Sequence, residues 1–169
     1  LLGARAHLAS CDYAEGDLES ATARARAVIE DAVVRGWTSQ MQLRFALLPL
    51  ALAQILRGEF ESADRHIAAG LAANANGIEA WPTVVLHLAQ AAVAVSRRRP
   101  RAARAALQSA LTVQRDHPLS PALADTLTRV RAEVTMLTGG GGGAVALDHG
   151  APASATGWAT QARLALHRG

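Results

Sequence analysis

The stretch "LRGEFESADRHIAAGL", residues 56–71, predicts a turn between two helices. Arg57 and Gly58 end an apolar segment, and glycine readily adopts the left-handed backbone that terminates a helix. The small and apolar residues that follow recur at helical spacing, at Ala63, Ile67, Gly70 and Leu71. A second helix therefore begins close to Glu59, and the open question is whether this hairpin stands alone or repeats.

The same turn and helix recur twice more. Residues 16–21, "GDLESA", match residues 58–63, "GEFESA", and residues 98–103, "RRPRAA", form a third copy. The equivalent positions of the helices that follow are Ala21, Ala25, Val28 and Ile29, then Ala63, Ile67, Gly70 and Leu71, then Ala103, Leu107, Ala110 and Leu111. A fourth turn is expected at Gly139–Gly143. Hairpins that cannot bury their apolar faces alone stack on one another.

The predicted fold is therefore all-α, a right-handed α-solenoid of helix-turn-helix hairpins with repeats of about 40 residues. A single domain spans residues 1–169, and its repeats cover about 1–36, 38–77, 78–118, 119–150 and a partial 151–169. First helices of the pairs are expected at 2–14, 40–57, 80–96, 121–138 and 155–167, and second helices at 17–35, 60–74, 100–115 and 142–149. Pro49 should kink its helix or mark a late start. The chain lacks natural end signals, so we expect a piece excised from a longer protein.

Composition and charge agree with this fold and limit the function. The chain is 50% hydrophobic and only 4% aromatic, which favours packed helices over sheets. Residues 1–95 carry a net charge of −3 and residues 96–169 one of +6, and the total of +3 is too small to imply bulk nucleic-acid binding. The single cysteine, Cys11, permits no internal disulfide and fits a cytoplasmic location. No apolar run is long enough for a membrane span, so no membrane partner is expected.

The repeat pattern resembles a known family. Gly58 five residues before Ala63, followed by Ile67, Gly70 and Leu71, resembles the tetratricopeptide repeat. The chain departs from that family in its period, which is 40–42 residues instead of about 34. It also lacks the early Trp/Leu/Gly/Tyr signature of the family's first helix.

Repeats of this longer kind, rich in alanine, leucine and arginine, are similar to those in the superhelical sensor arm of MalT-like regulators of the LuxR group. Residues 70–107 are the part most like actinobacterial members, and the resemblance covers residues 4 to about 147. It implies a non-catalytic arm that binds a small organic effector or a regulatory protein and relays binding to an ATPase module. It also implies that DNA is reached only through a separate helix-turn-helix domain outside this chain. The alternative is a stand-alone repeat scaffold for protein–protein interaction.

Catalytic and cofactor motifs are not found in the sequence. Gly139–Gly143 is followed by Ala144 and Val145, and the chain contains no lysine, so it does not form a phosphate-binding loop. His7, Cys11 and Glu15 share one helix face, either as part of a zinc site or as an exposed end face. No nucleophile motif is present. We therefore predict no enzyme activity, no catalytic residues, no cofactor and no metal.

The candidate binding residues lie on predicted first helices and in the third turn. Gln54, His87 and Gln90 are polar residues in apolar helices, which either anchor a ligand on the concave face or satisfy core hydrogen bonds. Trp81 is either a rim aromatic or a core residue.

A dense run of arginines lies at the start of the second helix in the third predicted pair. Arg97, Arg98 and Arg101 lead it, at the helix end where the macrodipole disfavours cations. The run either docks an acidic partner or forms a solvated turn. Uncapped solenoid ends would drive self-association through the apolar residues Leu1, Leu2, Trp158, Leu164 and Leu166.

Overall fold

The computed structural model describes residues 2–38, 41–73 and 80–139, and every regular element within those ranges is helical. The helices are α1 (Leu2–Glu15), α2 (Leu18–Val34), α3 (Arg44–Leu56), α4 (Phe60–Ala73), α5 (Ala80–Ser96), α6 (Pro100–Gln114) and α7 (Pro121–Leu137), with a 3-10 turn at Met41–Leu43 before α3. The all-α prediction is confirmed for these residues. Each helix predicted between residues 2 and 138 is present with ends close to those expected. The helices predicted at 142–149 and 155–167 lie outside the described residues.

The helices pack as neighbours in sequence and as alternate members of the series. Each helix contacts the next one along the chain, and α1 contacts α3, α3 contacts α5, and α5 contacts α7. Tight turns join α1 to α2, α3 to α4 and α5 to α6, so the members of each pair run antiparallel. We call α1, α3, α5 and α7 the odd helices and α2, α4 and α6 the even helices. The odd helices therefore lie side by side in sequence order.

The three tight turns share one backbone conformation. We define turn 1 as residues 15–19, turn 2 as residues 57–61 and turn 3 as residues 97–101. In turn 1 the Gly16 N–H donates to the Tyr13 carbonyl at 3.1 Å and the Asp17 N–H donates to the Asp12 carbonyl at 2.9 Å. This is the Schellman pattern, and the equivalent bonds recur in turns 2 and 3. The three turns that the sequence pairs with one another thus have the same backbone hydrogen bonds.

The left-handed residue differs among the turns. Gly16 and Gly58 have φ of 87° and 74°, whereas turn 3 places Arg98 there with φ of 51°. A side chain in this region costs roughly 1–2 kcal/mol, which glycine avoids. After α7, Gly139 has φ of 73°, and its N–H donates to the Met136 carbonyl, so α7 also ends at a left-handed glycine. The rest of the fourth turn expected at Gly139–Gly143 lies outside the described residues.

The even helices bury the same positions in each hairpin. Ala21, Ala63 and Ala103, each five residues after the left-handed turn residue, are all 0% exposed. The residues four and seven positions on are also buried, at Ala25, Val28, Ile67, Gly70, Leu107 and Ala110. In α4 and α6 the first of these is large and the second small, whereas α2 has alanine and then valine. A Cβ added at Gly70 would lie 3.0 Å from Leu86 Cδ2. The predicted register of the second helices is therefore the packing register.

The odd helices have a register of their own, which the sequence analysis missed. Ala9, Ala51 and Ala91 each precede the left-handed turn residue by seven positions, and all three are 0% exposed. An alanine there lets the helix approach its neighbours closely. Ala132 is the equivalent residue on α7, and it is only partly buried. Four alanines at one position per repeat were a readable signal, but they were lost among the many other alanines of the chain.

Helix α3 is buried on all sides, because every residue from Arg44 to Ile55 lies in the interior. Pro49 lies inside this helix and does not mark its start. Proline has no N–H, so Pro49 cannot donate to the Phe45 carbonyl four residues earlier. The Ser10 hydroxyl on α1 donates to that carbonyl instead, at 2.8 Å. A neighbouring helix therefore supplies the hydrogen bond that the proline removes.

Candidate binding face

Three aromatic rings from three odd helices form a row. The His7 ring on α1 lies 3.9 Å from the Phe45 ring on α3, and the Phe45 ring lies 5.9 Å from the Trp81 ring on α5, centroid to centroid. We call His7, Phe45 and Trp81 the ring row. Phe45 is 7% exposed, while His7 and Trp81 are exposed on either side of it. The row therefore presents two accessible rings joined by a buried one.

A buried cation supports the middle ring. The Arg44 guanidinium carbon lies 4.7 Å from the centroid of the Phe45 ring, and Arg44 is 1% exposed. A guanidinium at this distance from an aromatic ring makes a favourable cation–π contact, which is stronger where water is excluded. The contact orients Phe45 between its two neighbours. Sequence reasoning missed Arg44, since a lone arginine before an apolar run reads as the solvated end of a helix.

The sequence left Trp81 as either rim or core, and the structure places it at the rim. Its ring is 43% exposed and packs against Phe45 on one side. Indole rings with one packed face and one open face are common in binding surfaces. The binding role of Trp81 stays a prediction.

Gln54 lies away from any open face. It is 3% exposed, and its Oε1 is 2.8 Å from Nδ1 of His66 on α4. This contact is a hydrogen bond when the imidazole carries its proton on Nδ1, since the amide oxygen can only accept. Burial lowers the pKa of His66, and the positive charge of Arg65 lowers it further, so the folded protein favours the neutral ring. Gln54 therefore joins the two helices of the second hairpin.

His87 and Gln90 lie together on one side of α5. The His87 Nδ1 and the Gln90 Oε1 are 3.4 Å apart, and both side chains are half-buried. Residues three apart on a helix share a face, so this pair offers polar groups next to solvent. The structure thus pairs His87 with Gln90, whereas Gln54 pairs with His66. Their predicted role in binding a ligand is not decided by this placement.

The arginine run divides into two parts. Arg97 reaches back to α4, with its guanidinium nitrogens 3.3 Å from Asp64 Oδ2 and 3.5 Å from Glu61 Oε1. Its neighbours face solvent, at Arg98, Arg99, Arg101 and Arg104. Arg97 therefore ties turn 3 to the preceding hairpin, while Arg98 and Arg101 are available to a partner.

Metal and membrane sites were sought over the same residues. Within 2–38, 41–73 and 80–139, no group of three or more histidine, cysteine, aspartate and glutamate side chains is arranged to hold a metal ion. Cys11 is exposed on α1. None of the helices described combines the length and apolarity that crossing a bilayer requires.

Comparisons with known proteins return no relative: no family model, no curated protein and no solved structure matches the chain. The function is therefore argued from the described residues.

Proposed function

We propose that the chain is a non-catalytic binding domain, a right-handed α-solenoid of tetratricopeptide-like hairpins whose odd helices form the recognition face. Within this proposal it serves as the cytoplasmic sensor arm of a LuxR-group, MalT-like transcription regulator. It binds a small organic effector or a regulatory protein.

The repeated geometry supports the solenoid. Three turns with the same hydrogen bonds are each followed by an even helix that buries the same positions. The odd helices contact one another in the order α1, α3, α5, α7, which is how stacked hairpins place the first helix of each pair. A stack of this kind presents a continuous surface built from one helix of every repeat.

The ring row is the observation that carries the binding function. It crosses α1, α3 and α5, so it belongs to the stacked surface and not to a single hairpin. Exposed aromatic side chains over a buried ring supply large contact area at small entropic cost, and tryptophan is enriched among the residues that dominate binding energy. The open faces of His7 and Trp81 suit a planar or apolar group that stacks on them.

The regulator assignment is supported by the resemblance carried by residues 70–107, whose described part forms most of the α5–α6 hairpin. It is tested by the gene that encodes the parent chain. A P-loop ATPase upstream and a helix-turn-helix downstream are expected. A parent gene without both would favour the stand-alone scaffold.

The binding function is tested by selection followed by matched substitution. A random peptide library and a collection of small organic compounds are screened against the 169-residue chain, and the binders are re-measured on Trp81→Ala. We expect at least a tenfold loss of affinity, because removing the indole opens the ring row.

Trp37→Ala is the control for this experiment. Trp37 is 39% exposed and lies just after α2, with the Arg35 guanidinium over its ring, so it is a tryptophan of similar exposure outside the ring row. Affinity should be unchanged in Trp37→Ala. Equal losses in both variants, or no loss in either, would refute the recognition face.

A further inference from the structure

The three tight turns lie in a line along one edge of the molecule. Arg97 in turn 3 pairs with Glu61 in turn 2 and with Asp64 just beyond it. A Cβ added at Gly3 would lie 3.4 Å from Gln42 Cγ, and the His7 ring lies against the Phe45 ring, so α1 runs parallel to α3 and turns 1 and 2 lie at the same end of their hairpins. We call this line of turns the turn edge.

The charges change sign along the turn edge. Turn 1, "EGDLE", carries exposed carboxylates at Glu15, Asp17 and Glu19. Turn 2, "RGEFE", carries both signs, with Arg57 and Glu59 exposed. In turn 3, "RRRPR", one arginine is taken up by the ion pairs of Arg97, and three exposed arginines remain, at Arg98, Arg99 and Arg101. Three exposed acids at one end thus match three exposed bases at the other.

This pattern is self-complementary when reversed. A second copy of the chain, turned through 180° about an axis through turn 2, sets its basic turn 3 against the acidic turn 1 of the first copy, and its turn 1 against turn 3. A two-fold interface requires one patch that fits itself, and the turn edge meets that requirement in charge.

We propose that the turn edge is a homodimer interface in which acidic turn 1 of each copy pairs with basic turn 3 of the other. The proposal is independent of the ring row, which uses different residues. A nucleic acid would meet the same arginines but would be repelled by turn 1 along the same edge. An acidic peptide would leave turn 1 without a partner. Only a second copy uses the charges of both end turns.

The strain at Arg98 agrees with this role. Turns 1 and 2 place glycine at the left-handed position, and turn 3 keeps an arginine there with φ of 51°. A charged side chain held at an unfavourable backbone angle indicates a use for the charge beyond forming the turn.

The first test is the salt dependence of self-association, measured by sedimentation equilibrium on the full chain. Exposed charge pairs are screened by salt. We therefore expect a dimer at about 0.02 M salt whose dissociation constant is at least tenfold higher at about 0.5 M. Association through apolar solenoid ends would persist or strengthen with salt. A chain that is monomeric at low salt, or one whose dimer is insensitive to salt, would overturn the proposal.

The second test exchanges charges between the turns. Variant A carries Arg98→Glu, Arg99→Glu and Arg101→Glu, so both of its end turns are acidic. Variant B carries Glu15→Arg and Glu19→Arg, which keeps Asp17 because its side chain caps α2. Each variant alone should be monomeric, and an equimolar mixture should form the heterodimer, because the acidic turns of A face the basic turns of B.

The control and the contrary results are specific. Arg115→Glu with Arg131→Glu removes exposed arginines elsewhere and should leave the dimer intact. Circular dichroism should report the same helix content in all variants. If A and B fail to associate on mixing, or if only variant A loses association, the acidic turn is not the partner of the basic one and the proposal is wrong.

Discussion

The even and odd helices of this chain are both rich in alanine, but they differ in which positions they repeat from one hairpin to the next. The even helices bury the same three positions at fixed distances from each turn, and the first of these is always alanine. The odd helices share a buried alanine, at Ala9, Ala51 and Ala91, but otherwise differ widely. Arg44, Gln54 and His87 all lie on odd helices. The even helices have packing residues at the positions that they repeat.

The difference teaches where stability and recognition lie. A small residue at a close approach tolerates no enlargement, so the even register is constrained by packing alone. The odd helices pack against one another. Three of their side chains, which do not repeat from hairpin to hairpin, form the ring row. Substitutions should therefore fall into two classes, and the following experiments separate them.

The largest effect is expected from overfilling the close approaches. Ala63→Leu and Ala103→Leu should each lower the free energy of unfolding by roughly 1–3 kcal/mol, because each added side chain enters a site with no space. Ala51→Leu should cost a similar amount if the odd alanines are packed as tightly. Thermal or urea unfolding measures the loss, with Ala72→Leu as an exposed control near the end of α4. Equal melting temperatures for all four variants would contradict the register.

A second effect tests how α3 tolerates its proline. Ser10→Ala should lower stability by about 1 kcal/mol, because the Phe45 carbonyl loses its donor. In a Pro49→Ala background α3 regains its own N–H, so the same Ser10→Ala change should cost less. Urea unfolding of the four proteins gives this coupling. An additive pair would show that the serine and the proline act independently.

The turns should respond in opposite directions to the same exchange. Arg98→Gly should raise the free energy of unfolding by about 0.5–1 kcal/mol, because the left-handed strain of arginine exceeds the entropic cost of glycine. Gly58→Arg should lower it by a similar or larger amount. Both are read from urea unfolding at high salt, where the charge of turn 3 matters least. A loss of stability in Arg98→Gly would show that the turn is relaxed with arginine.

The smallest effect is a pH dependence of stability that arises from His66, which pairs with Gln54 between an even and an odd helix. Burial depresses the pKa of His66 in the folded protein, so the unfolded chain binds more protons between the folded value and the ordinary value of 6.5. Stability should therefore fall as the pH is lowered through that window and stay constant above it.

Urea unfolding at about pH 7.5 and about pH 5.5 measures this fall. His66→Gln should reduce it, and His117→Gln, at an exposed position, should not. An unchanged difference in His66→Gln would assign the pH dependence to other groups.

Sequence reasoning reached the parts of the fold that rest on local rules. The turns at Gly16 and Gly58 and the positions of Ala63 and Ile67 follow from helix periodicity and turn chemistry, which act over a few residues. The long-range contacts did not follow. The Ser10 bond to the Phe45 carbonyl spans 35 positions, and no local pattern encodes such a bond.

The candidate site was the least predictable part. Trp81 was selected from sequence as a candidate, but its two partners in the ring row were not joined to it, because the row exists only once three helices are packed. Gln54 was selected for being polar in an apolar helix. That same feature serves equally well for an internal hydrogen bond, and only the position of His66 distinguishes the two uses.

The enclosure of α3 has a consequence for how the chain is made. Apart from Arg44 and Gln54, α3 is apolar on every side, and it is covered by contacts with α1, α2, α4 and α5. During synthesis α3 leaves the ribosome before α5, so one side of it stays uncovered until the third hairpin arrives. Until then the first two hairpins expose apolar surface through which they can aggregate. The rate of translation between residues 56 and 96 therefore sets how long this surface stays exposed.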